Sequence, residues 1–470
     1  GNVYTSGLFS GSMDFDPTSN TQNVTANAGD VFIQKLDANG NLDWVGHAEA
    51  SGQPVKLAMK SNGNIIVVGR SQDTVTTTLA SGGTVFLEKG VFIIEFSASG
   101  DAIAAGCIAT PTSFNNILAI ATDNNDNIII GASIDGPMDL DLGTGTVLDT
   151  SHSAYNGVVV KYNSSLQYQW HKVFGDIPEG QPGGWDVVGE IQCDDNGNIY
   201  ATGYFTWTTD FDPDDNPGTY VVEAGTAFGS QTPDGFIVKY DAQGNIQWVQ
   251  DAGTHPSITT NTDVNFLDMV LKDDQIVVSG TLNGGADFDG GVDSFFVSTA
   301  DGGLGLCYEQ YTTSGDFVNA WLIDGIQSNN ETHAGIEQLA NGIVAYGLLQ
   351  YAADFDPTSG EYILYVDTNG FIPDFDNDIF VAHYDLDLQT SVSETEIGNS
   401  LVYPNPSSTG VFQFSTPFER EEVFSIYNLT GKLVQQNSSP TQIDLSAHPA
   451  GVYVVQFDNP ELKPLKLVKR

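Results

Sequence analysis

The sequence is poor in basic residues, in cysteine and in long apolar runs. It has 15 Lys and Arg against 60 Asp and Glu, a formal net charge of −45. A chain this acidic is repelled by nucleic-acid phosphates and by anionic lipid, so we expect neither nucleic-acid binding nor attachment to a membrane surface. Its 3 cysteines show no metal-type spacing, and they exclude a disulfide framework as the source of stability. No apolar run is long enough to span a membrane.

The motifs of common enzyme classes are missing as well. The chain has no Gly-x-Ser-x-Gly elbow, no His-Glu-x-x-His, no phosphate-binding loop and no dinucleotide fingerprint. Its 7 histidines form no ligand-spaced pair. We therefore predict no catalytic residue set and no organic cofactor. An initiator Met and a secretory signal are also lacking, which indicates a mature form or a fragment.

The composition is nevertheless that of a folded chain with two parts. Hydrophobic residues make up 40% and aromatic residues 11% of it, which is enough for a sizeable core. Residues 400–470 contain six basic and six acidic residues, which leaves 9 of the 15 basic and 54 of the 60 acidic residues for positions 1–399. This shift in charge marks a boundary. We predict a first domain over 1–390, a polar linker over 391–400 and a second domain over 401–470.

A repeat organises the first domain. Each copy begins with turn residues followed by a short apolar strand, and the six copies start at Gly1, Gly63, Asp126, Gly197, Asp274 and Asn341. A glycine follows about six residues later, which indicates a bulge or a close approach of two backbones. In two copies a hairpin turn leads into a strand that carries Trp44 or Trp248. These tryptophans faintly resemble the docking tryptophans of quinone-dependent propeller dehydrogenases, but we expect them to be ordinary core between units.

An acidic pair, split by one apolar residue, recurs in five of the six copies. The pairs are Asp14 and Asp16, Asp139 and Asp141, Asp210 and Asp212, Asp287 and Asp289, and Asp354 and Asp356. In an extended strand both carboxylates point to one side, as oxygen ligands of a hard cation such as calcium would. The carboxylates of such a pair can instead cap a turn by accepting backbone N–H groups. For the repeated pairs we favour capping.

Two clusters extend this pattern to three carboxylates at alternate positions, as calcium loops often do. They are Asp210, Asp212 and Asp214, and Asp374, Asp376 and Asp378. For these clusters calcium binding and turn capping both stay open. The predicted metal ligands are these six residues together with Asp14, Asp16, Asp354 and Asp356.

Each copy reads as four short antiparallel strands with apolar residues at alternate positions. Repeated four-stranded sheets hide their faces and edges when they are arranged radially, so we predict an all-β fold with a β-propeller of six visible blades. Either a seventh blade or a strand from residues 384–392 would complete the ring. An open β-solenoid is the second choice, because its repeats are usually shorter than these.

The copies resemble the bacterial β-propeller repeat family with SBBP-type repeats. The fourth copy, from Gly197 to Trp248, matches nearly throughout, and the segments that carry the match include 197–200, 210–212 and 239–241. The first copy matches well, and the second and fifth match weakly. The resemblance implies a propeller in an exported protein and no particular activity.

The second domain has the alternating strands of a small immunoglobulin-like β-sandwich. It resembles the type A C-terminal sorting domain of the type IX secretion system of Bacteroidetes-type bacteria. The residues matched to the sorting signal are Tyr403, Pro404, Asn405, Pro406, Gly431, Lys432, Gly451, Tyr453, Lys466 and Lys469. The resemblance implies the type IX machinery as a partner and a secreted or cell-surface location, with removal of the domain in many family members.

Function is expected in the residues that are not repeated, because a residue copied around a ring is normally scaffold. Long loops at 214–234, 255–265, 311–333 and 361–378 carry the candidate ligand contacts Tyr220, Trp321, Tyr362 and Tyr365. We predict a non-catalytic adhesion or binding protein whose loops bind a surface glycan or a protein. The alternatives are a polysaccharide-acting hydrolase or lyase and a structural component of a surface assembly.

Overall fold

The chain is built of antiparallel β-strands, and the computed structural model shows no helix among the residues it describes. Those residues are 1–48, 52–71, 73–109, 118–143, 145–150, 155–176, 184–212, 218–227, 230–253, 262–289, 295–299, 304–325, 335–339, 342–349, 352–356, 362–365, 378–384, 402–403, 407, 409–414, 423–428, 432–438, 442–449, 451–457 and 465–469. The all-β fold class is confirmed. Within this part of the chain no helix is long and apolar enough to cross a membrane.

Two compact units make up the chain. The first comprises Gly1–Leu339 and Ile343–His383, and the second comprises Tyr384–Arg470 with Ala340–Gly342. The linker predicted at 391–400 lies outside the described residues.

Six successive sheets, here called blades one to six, form the first unit. Blade one is β1 (Val3–Asp14), β2 (Asn23–Leu36) and β3 (Leu42–Ala48). Blade two is β4 (Gly52–Met59), β5 (Ile65–Ser71), β8 (Gly90–Phe96) and β9 (Ala102–Ala109), with the hairpin β6 (Val75–Thr78) and β7 (Thr84–Leu87) between β5 and β8. Blade three is β10 (Leu118–Thr122), β11 (Ile128–Ile134), β14 (Asn156–Tyr162) and β15 (Tyr168–Asp176), with the hairpin β12 (Pro137–Asp139) and β13 (Leu148–Thr150).

The later blades repeat this order. Blade four is β16 (Val187–Cys193), β17 (Ile199–Phe205), β22 (Asp234–Tyr240) and β23 (Ile246–Ala252), with β18 (Thr208–Asp210), β19 (Val221–Glu223), β20 (Thr226–Ala227) and β21 (Ser230–Gln231) as insertions. Blade five is β24 (Thr262–Lys272), β25 (Gln275–Asp287), β27 (Leu304–Thr312) and β28 (Phe317–Gly325), with β26 (Phe296–Ser298) paired to β25. Blade six is β29 (Gly335–Leu339), β30 (Gly342–Leu349) and β33 (Asp378–Tyr384), with the hairpin β31 (Ala352–Asp354) and β32 (Ile363–Tyr365).

The first strands of blades two to six surround a common axis. β4, β10, β16, β24 and β29 contact one another in chain order. Lys56 of blade two also reaches past blade three to blade four, where its Nζ lies 2.5 Å from Glu190 Oε2 and donates to the Gly189 carbonyl at 3.2 Å. In a straight stack the intervening sheet would separate these blades by well over one sheet spacing of about 10 Å. The arrangement is therefore that of a propeller and not of a solenoid.

In blades four and five the repeated glycine marks a close approach of two backbones next to a bulge, as predicted, whereas the Cβ positions of Gly7, Gly69 and Gly131 meet side chains. In blade four the register shifts between Val188 and Glu190, opposite Gly203. A Cβ on Gly203 would lie 1.8 Å from the Val187 carbonyl oxygen, a distance no side chain tolerates. Gly280 faces the Asn265 carbonyl in the same way in blade five, at 2.1 Å. The bulge brings the inner strand so close to these two glycines that no side chain fits opposite it.

The ring is not closed by the described residues. Residue Val381 of β33 is 71% exposed, whereas its counterparts in the other blades, Ile33, Ile93, Val159, Ile237 and Tyr308, are 0–1% exposed under the blade that follows them. Blade one has no described strand inside β1, and blade six has none outside β33. Residues 385–392, most of the predicted closing strand, lie outside the described residues. Whether this strand or a seventh blade completes the ring therefore stays a prediction.

The second unit is a β-sandwich of two sheets. One sheet has the order β34 (Val402–Tyr403), β35 (Val411–Phe414) and β38 (Gln442–Asp444). The other has the order β37 (Leu433–Ser438), β36 (Val423–Asn428), β39 (Gly451–Phe457) and β40 (Leu465–Lys469). Apolar residues from both sheets, among them Phe412, Phe424 and Ile443, form one buried core. This agrees with the sandwich predicted from alternation.

Candidate binding surface

The two ends of the blades differ in the length of their connections. At one end, here called the turn end, hairpins of about five residues join the strands, for example at 37–41, 123–127, 194–198 and 241–245. In each of these a carboxylate such as Asp37 accepts the backbone N–H groups two and four residues ahead, at 2.8 and 2.9 Å. The strand ends that flank the predicted long loops at 214–234, 255–265 and 361–378 lie at the opposite end, here called the loop end. The loop end is therefore the side at which sequence varies most between blades.

The first carboxylate of each acidic pair caps a hairpin at the loop end. In all five copies it accepts the N–H two residues ahead at 3.0–3.2 Å. It also accepts the N–H eight residues ahead at 2.7–2.9 Å. These carboxylates are Asp14, Asp139, Asp210, Asp287 and Asp354. The prediction of turn capping is confirmed for the first carboxylate of each pair, since one geometry recurs in all five of these copies.

The residue between the two carboxylates anchors the hairpin in the core. Phe15, Leu140, Phe211, Phe288 and Phe355 are all buried. The carbonyl of Leu140 accepts a hydrogen bond from Tyr162 Oη at 2.8 Å, and Phe211 and Tyr240 repeat this contact at 3.3 Å. The predicted alternation, carboxylates to one side and the apolar side chain to the other, thus serves to seat the hairpin.

These hairpins also connect consecutive blades, which the sequence did not predict. Asp139 of blade three pairs with Ala109 at the end of blade two, and Asp210 of blade four pairs with Gly175 of blade three. Asp354 pairs with Asp324 in the same way. Each of these three hairpins therefore extends the outer strand of the preceding blade. The pairing is between segments distant in sequence, so no local pattern could reveal it.

The calcium sites stay predictions. Asp212 Oδ1 accepts a hydrogen bond from Lys172 Nζ at 2.9 Å, so one carboxylate of the first extended cluster is already paired with a buried cation. Asp214, Asp374 and Asp376 lie outside the described residues, as does the side chain of Asp378. Within the described part, no three His, Cys, Asp or Glu side chains are grouped so that they could hold a metal ion.

The four predicted aromatic contacts differ in their accessibility. Tyr362 is 64% exposed at the loop end, and Tyr220 is half-buried. Trp321 was expected in a loop, but it lies in β28, is 7% exposed and stacks on Tyr308 with ring centroids 5.3 Å apart. Trp321 is therefore a core residue, because the alternating strand 317–325 turns it toward the sheet face. The side chain of Tyr365 lies outside the described residues.

An aromatic residue that the sequence reasoning missed lies exposed at the same end. Trp185 precedes the inner strand of blade four and is 47% exposed. Its ring meets Tyr155 edge to face, with centroids 6.3 Å apart. Its position in a connection between two repeats, next to Gly184, was the signal available in the sequence.

Two carboxyl groups between blades four and five, Asp251 and Glu309, have raised pKa values. Burial, with the nearby charge of Asp287, raises the pKa of Asp251 to about 6. Burial likewise raises the pKa of Glu309 well above its usual value, although Tyr311 Oη donates a hydrogen bond to its Oε1 at 2.5 Å. Glu309 is fully buried, and its Oε2 has no hydrogen-bond partner among the described residues. The charged form of this side chain is therefore disfavoured in the folded protein.

The residues of the predicted sorting signal are partly described. Lys469 Nζ donates to the carbonyls of Leu445, Ser446 and His448 at 3.1, 2.8 and 2.5 Å. Tyr453 is buried and its Oη donates to the Pro449 carbonyl at 2.6 Å. Gly451 begins β39, Lys466 lies in β40, Tyr403 lies in β34 and the Lys432 N–H donates to Asn428 Oδ1. Pro404, Asn405, Pro406 and Gly431 lie outside the described residues.

Comparison with known proteins gives little for the first unit. A WD repeat-containing protein of Acanthamoeba polyphaga mimivirus is 26% identical over 290 residues, which is 55% of this chain and 19% of that protein. The chain thus spans about a fifth of this relative. Extracellular domains of a hybrid two-component system and of a one-component system from B. thetaiotaomicron are each 10% identical, with TM-scores of 0.16 and 0.15. They align over 98% and 100% of this chain and over 99% and 98% of their own chains, and at these scores they carry no argument.

The second unit gives a clear match. Residues 401–469 match the secretion system C-terminal sorting domain, over the segment that the sequence assigns to it. A chain that carries this domain is exported by the type IX secretion system, so its location is extracellular or on the cell surface of a Bacteroidetes-type bacterium. Residues 401–469 therefore belong to the family of secretion system C-terminal sorting domains.

Proposed function

We propose that the first unit is a non-catalytic binding module that recognises a carbohydrate or protein partner through its loop end. The observation that carries this proposal is the use of the repeated carboxylates. Each first Asp of a pair is engaged by two backbone N–H groups, so these residues hold the scaffold together. What differs between blades is the set of long connections at one end, and such connections are the usual place of recognition on a rigid scaffold.

Export supports the same proposal. A protein placed outside the cell meets glycans and other proteins, and a propeller offers them a wide face of loops. Tyr362, 64% exposed at the loop end, is the best placed of the predicted contacts. Aromatic side chains supply large contact areas at low conformational cost, so they dominate many binding surfaces.

The test compares the two ends of the blades. The full chain is applied to a glycan array and to immobilised surface proteins of the producing bacterium, and the bound partners are measured again with Tyr362→Ala. A matched control is Met59→Ala, since Met59 is 44% exposed at the turn end. Tyr362→Ala is expected to weaken binding and Met59→Ala to leave it unchanged. Loss of binding in the turn-end variant alone would contradict the proposal.

A polysaccharide-acting enzyme is the second candidate. Asp251, with a pKa raised to about 6, has the property that a general acid of a glycosidase needs. Glu309 is fully buried and cannot meet a polymer without opening of the interface between blades four and five. Release of reducing ends from a polysaccharide by the full chain, abolished by Asp251→Asn, would favour this candidate over binding alone.

A further inference from the structure

The backbone of Trp185 is fixed although its side chain is exposed. The Trp185 N–H donates to Thr206 Oγ1 at 2.7 Å, the Tyr155 N–H to the Gly184 carbonyl at 3.2 Å and the Asp186 N–H to the Tyr155 carbonyl at 3.1 Å. Tyr155 and Trp185 thereby form a short parallel bridge. A large apolar ring held in one place in contact with water is ready to bind, because little further ordering is required.

The neighbouring turn stores backbone strain. Trp207 follows Thr206 and has φ of +64°, in the left-handed region that a bulky side chain rarely adopts. Such a conformation costs about 1–2 kcal/mol. The Trp207 carbonyl accepts the Ala224 N–H at 2.7 Å, which fixes the turn. Strain kept beside a fixed and exposed aromatic residue is typical of a functional surface.

Trp185 is not part of the repeat. The register of the inner strands places Val187 opposite Tyr204 in blade four and Asn265 opposite Thr281 in blade five. Counting back two residues, the counterpart of Trp185 in blade five is Asp263. A residue required by the scaffold would recur in the next blade, as the hairpin carboxylates do.

The surroundings of Trp185 are acidic. Thr209 Oγ1 donates to Asp186 Oδ1 at 3.0 Å, which joins the Trp185 segment to the hairpin that carries Asp210 and Asp212. This segment and hairpin thus hold three carboxylates, Asp186, Asp210 and Asp212, and Lys172 pairs with Asp212. Residues 1–399 as a whole hold 54 acidic against 9 basic residues. The field at this surface therefore attracts cations and repels phosphorylated or sulfated partners.

We propose that Trp185 anchors a basic protein partner by stacking an arginine or lysine side chain on its indole. The inference rests on the proposed function, since it names the class of partner for the loop end. Two independent features favour it over a neutral glycan. The face of an indole attracts a cation through the ring quadrupole, and the acidic field accelerates the encounter with a basic chain.

The probe is a fluorescein-labelled octapeptide of alternating Arg and Gly, titrated into the full chain at 150 mM salt and followed by fluorescence anisotropy. The matched ligand carries citrulline in place of every Arg, which keeps the shape and removes the charge. The matched variant is Phe296→Ala, because Phe296 is also an exposed aromatic at the loop end, at 56%. The melting temperature of each variant is compared with that of the wild-type chain to check that all variants are folded.

We expect Trp185→Ala to weaken peptide binding about threefold to thirtyfold, Trp185→Phe to restore part of it and Phe296→Ala to leave it unchanged. The citrulline peptide is expected to bind at least tenfold more weakly to the wild-type chain. Equal binding of the Arg peptide by wild type and Trp185→Ala overturns the inference, as does equal binding of the two peptides.

A third ligand separates this inference from the proposed function. Neutral maltohexaose is titrated into the same proteins. If it binds in a Trp185-dependent manner while the Arg peptide does not, the loop end is a binding surface and the basic partner is wrong. If neither ligand binds and the array and surface proteins also give no partner, the proposed function fails together with the inference.

Discussion

The indole of Trp170 in blade three lies directly on Gly244 of blade four. Trp170 Nε1 donates to the Ala242 carbonyl at 3.3 Å, and a Cβ on Gly244 would lie 2.9 Å from the indole. The contact is repeated by Trp44 on Gly100 and by Trp248 on Gly315. Each tryptophan thus fixes the turn of the next blade. Trp44 and Trp248, expected to be core between units, are half-buried there.

Substitution of Gly244 tests this contact. Gly244→Ala places a methyl group against the indole and keeps φ at +88°, so we expect a loss of stability of about 2–4 kcal/mol. Gly40→Ala is the matched control, because Gly40 has φ of +82° and nothing within 4 Å of its Cβ position. The control should lose only about 1 kcal/mol. Urea denaturation followed by tryptophan fluorescence measures both, and equal losses would show that the indole contact contributes nothing.

The hairpin caps predict a difference between buried and exposed copies. Asp210 is 2% exposed, so Asp210→Ala leaves two backbone N–H groups without an acceptor in a buried hairpin. We expect a loss of about 2 kcal/mol in the free energy of unfolding. Asp14 makes the same two bonds at an exposed position, where water can replace them, so Asp14→Ala should cost clearly less. Thermal denaturation of the two variants side by side checks the order, and a larger loss for Asp14→Ala contradicts it.

The pKa of Glu309 predicts the pH dependence of stability. Burial raises this pKa, so the folded state binds a proton more tightly than the unfolded state does. The stabilisation is present in full below the unfolded pKa of about 4.3 and is lost as the pH rises through the folded pKa. Glu309→Gln removes the titration and keeps an acceptor for Tyr311. The variant should melt higher than wild type at pH 8 and close to it at pH 4, and a gain of equal size at both pH values would exclude this mechanism.

Local patterns predicted what local interactions determine. The turns, the alternation and the capping carboxylates all depend on residues within about ten positions, and the structure confirms them in copy after copy. Glu309 illustrates the opposite case. It occupies the position at which blades two, three and four have Ile94, Val160 and Val238, all fully buried. Only alignment of the hairpin turns reveals that a glutamate replaces an apolar residue at this position. The raised pKa of Glu309 depends further on the blade packed against it.

The aromatic candidates show the same limit. Sequence reasoning took Trp321 for a loop residue because no turn signal was recognised before it, whereas the turn 312–316 makes it part of a strand. Trp185 was overlooked because exposure is decided by how the blades meet. The pairing of each acidic hairpin with the preceding blade escaped prediction for the same reason.

Calcium binding to the extended clusters is tested by melting. We expect 5 mM calcium to raise the Tm relative to excess chelator. An ion that binds only the folded state stabilises that state by about 2.7 kcal/mol when its concentration is a hundred times the Kd. Asp374→Asn combined with Asp376→Asn and Asp378→Asn should reduce the rise. Asp139→Asn with Asp141→Asn is the control, since Asp139 caps a hairpin and neither residue is among the predicted ligands. Identical melting curves with calcium and with chelator would remove the clusters from the list of metal sites.

The C-terminal unit predicts an export phenotype that depends on Lys469. Its ammonium group donates hydrogen bonds to three backbone carbonyls. Lys469→Ala leaves these acceptors without a charged donor and should destabilise this end of the sandwich. We expect less protein at the cell surface and in the medium, and accumulation in the periplasm, as for deletion of residues 401–470. Gln436→Ala, at an exposed position of β37, is the control and should be exported normally. Immunoblots of the separated fractions measure all four proteins. Normal export of the deletion variant would mean that the sorting domain does not direct this chain, whereas normal export of Lys469→Ala alone would limit the error to the role of this lysine.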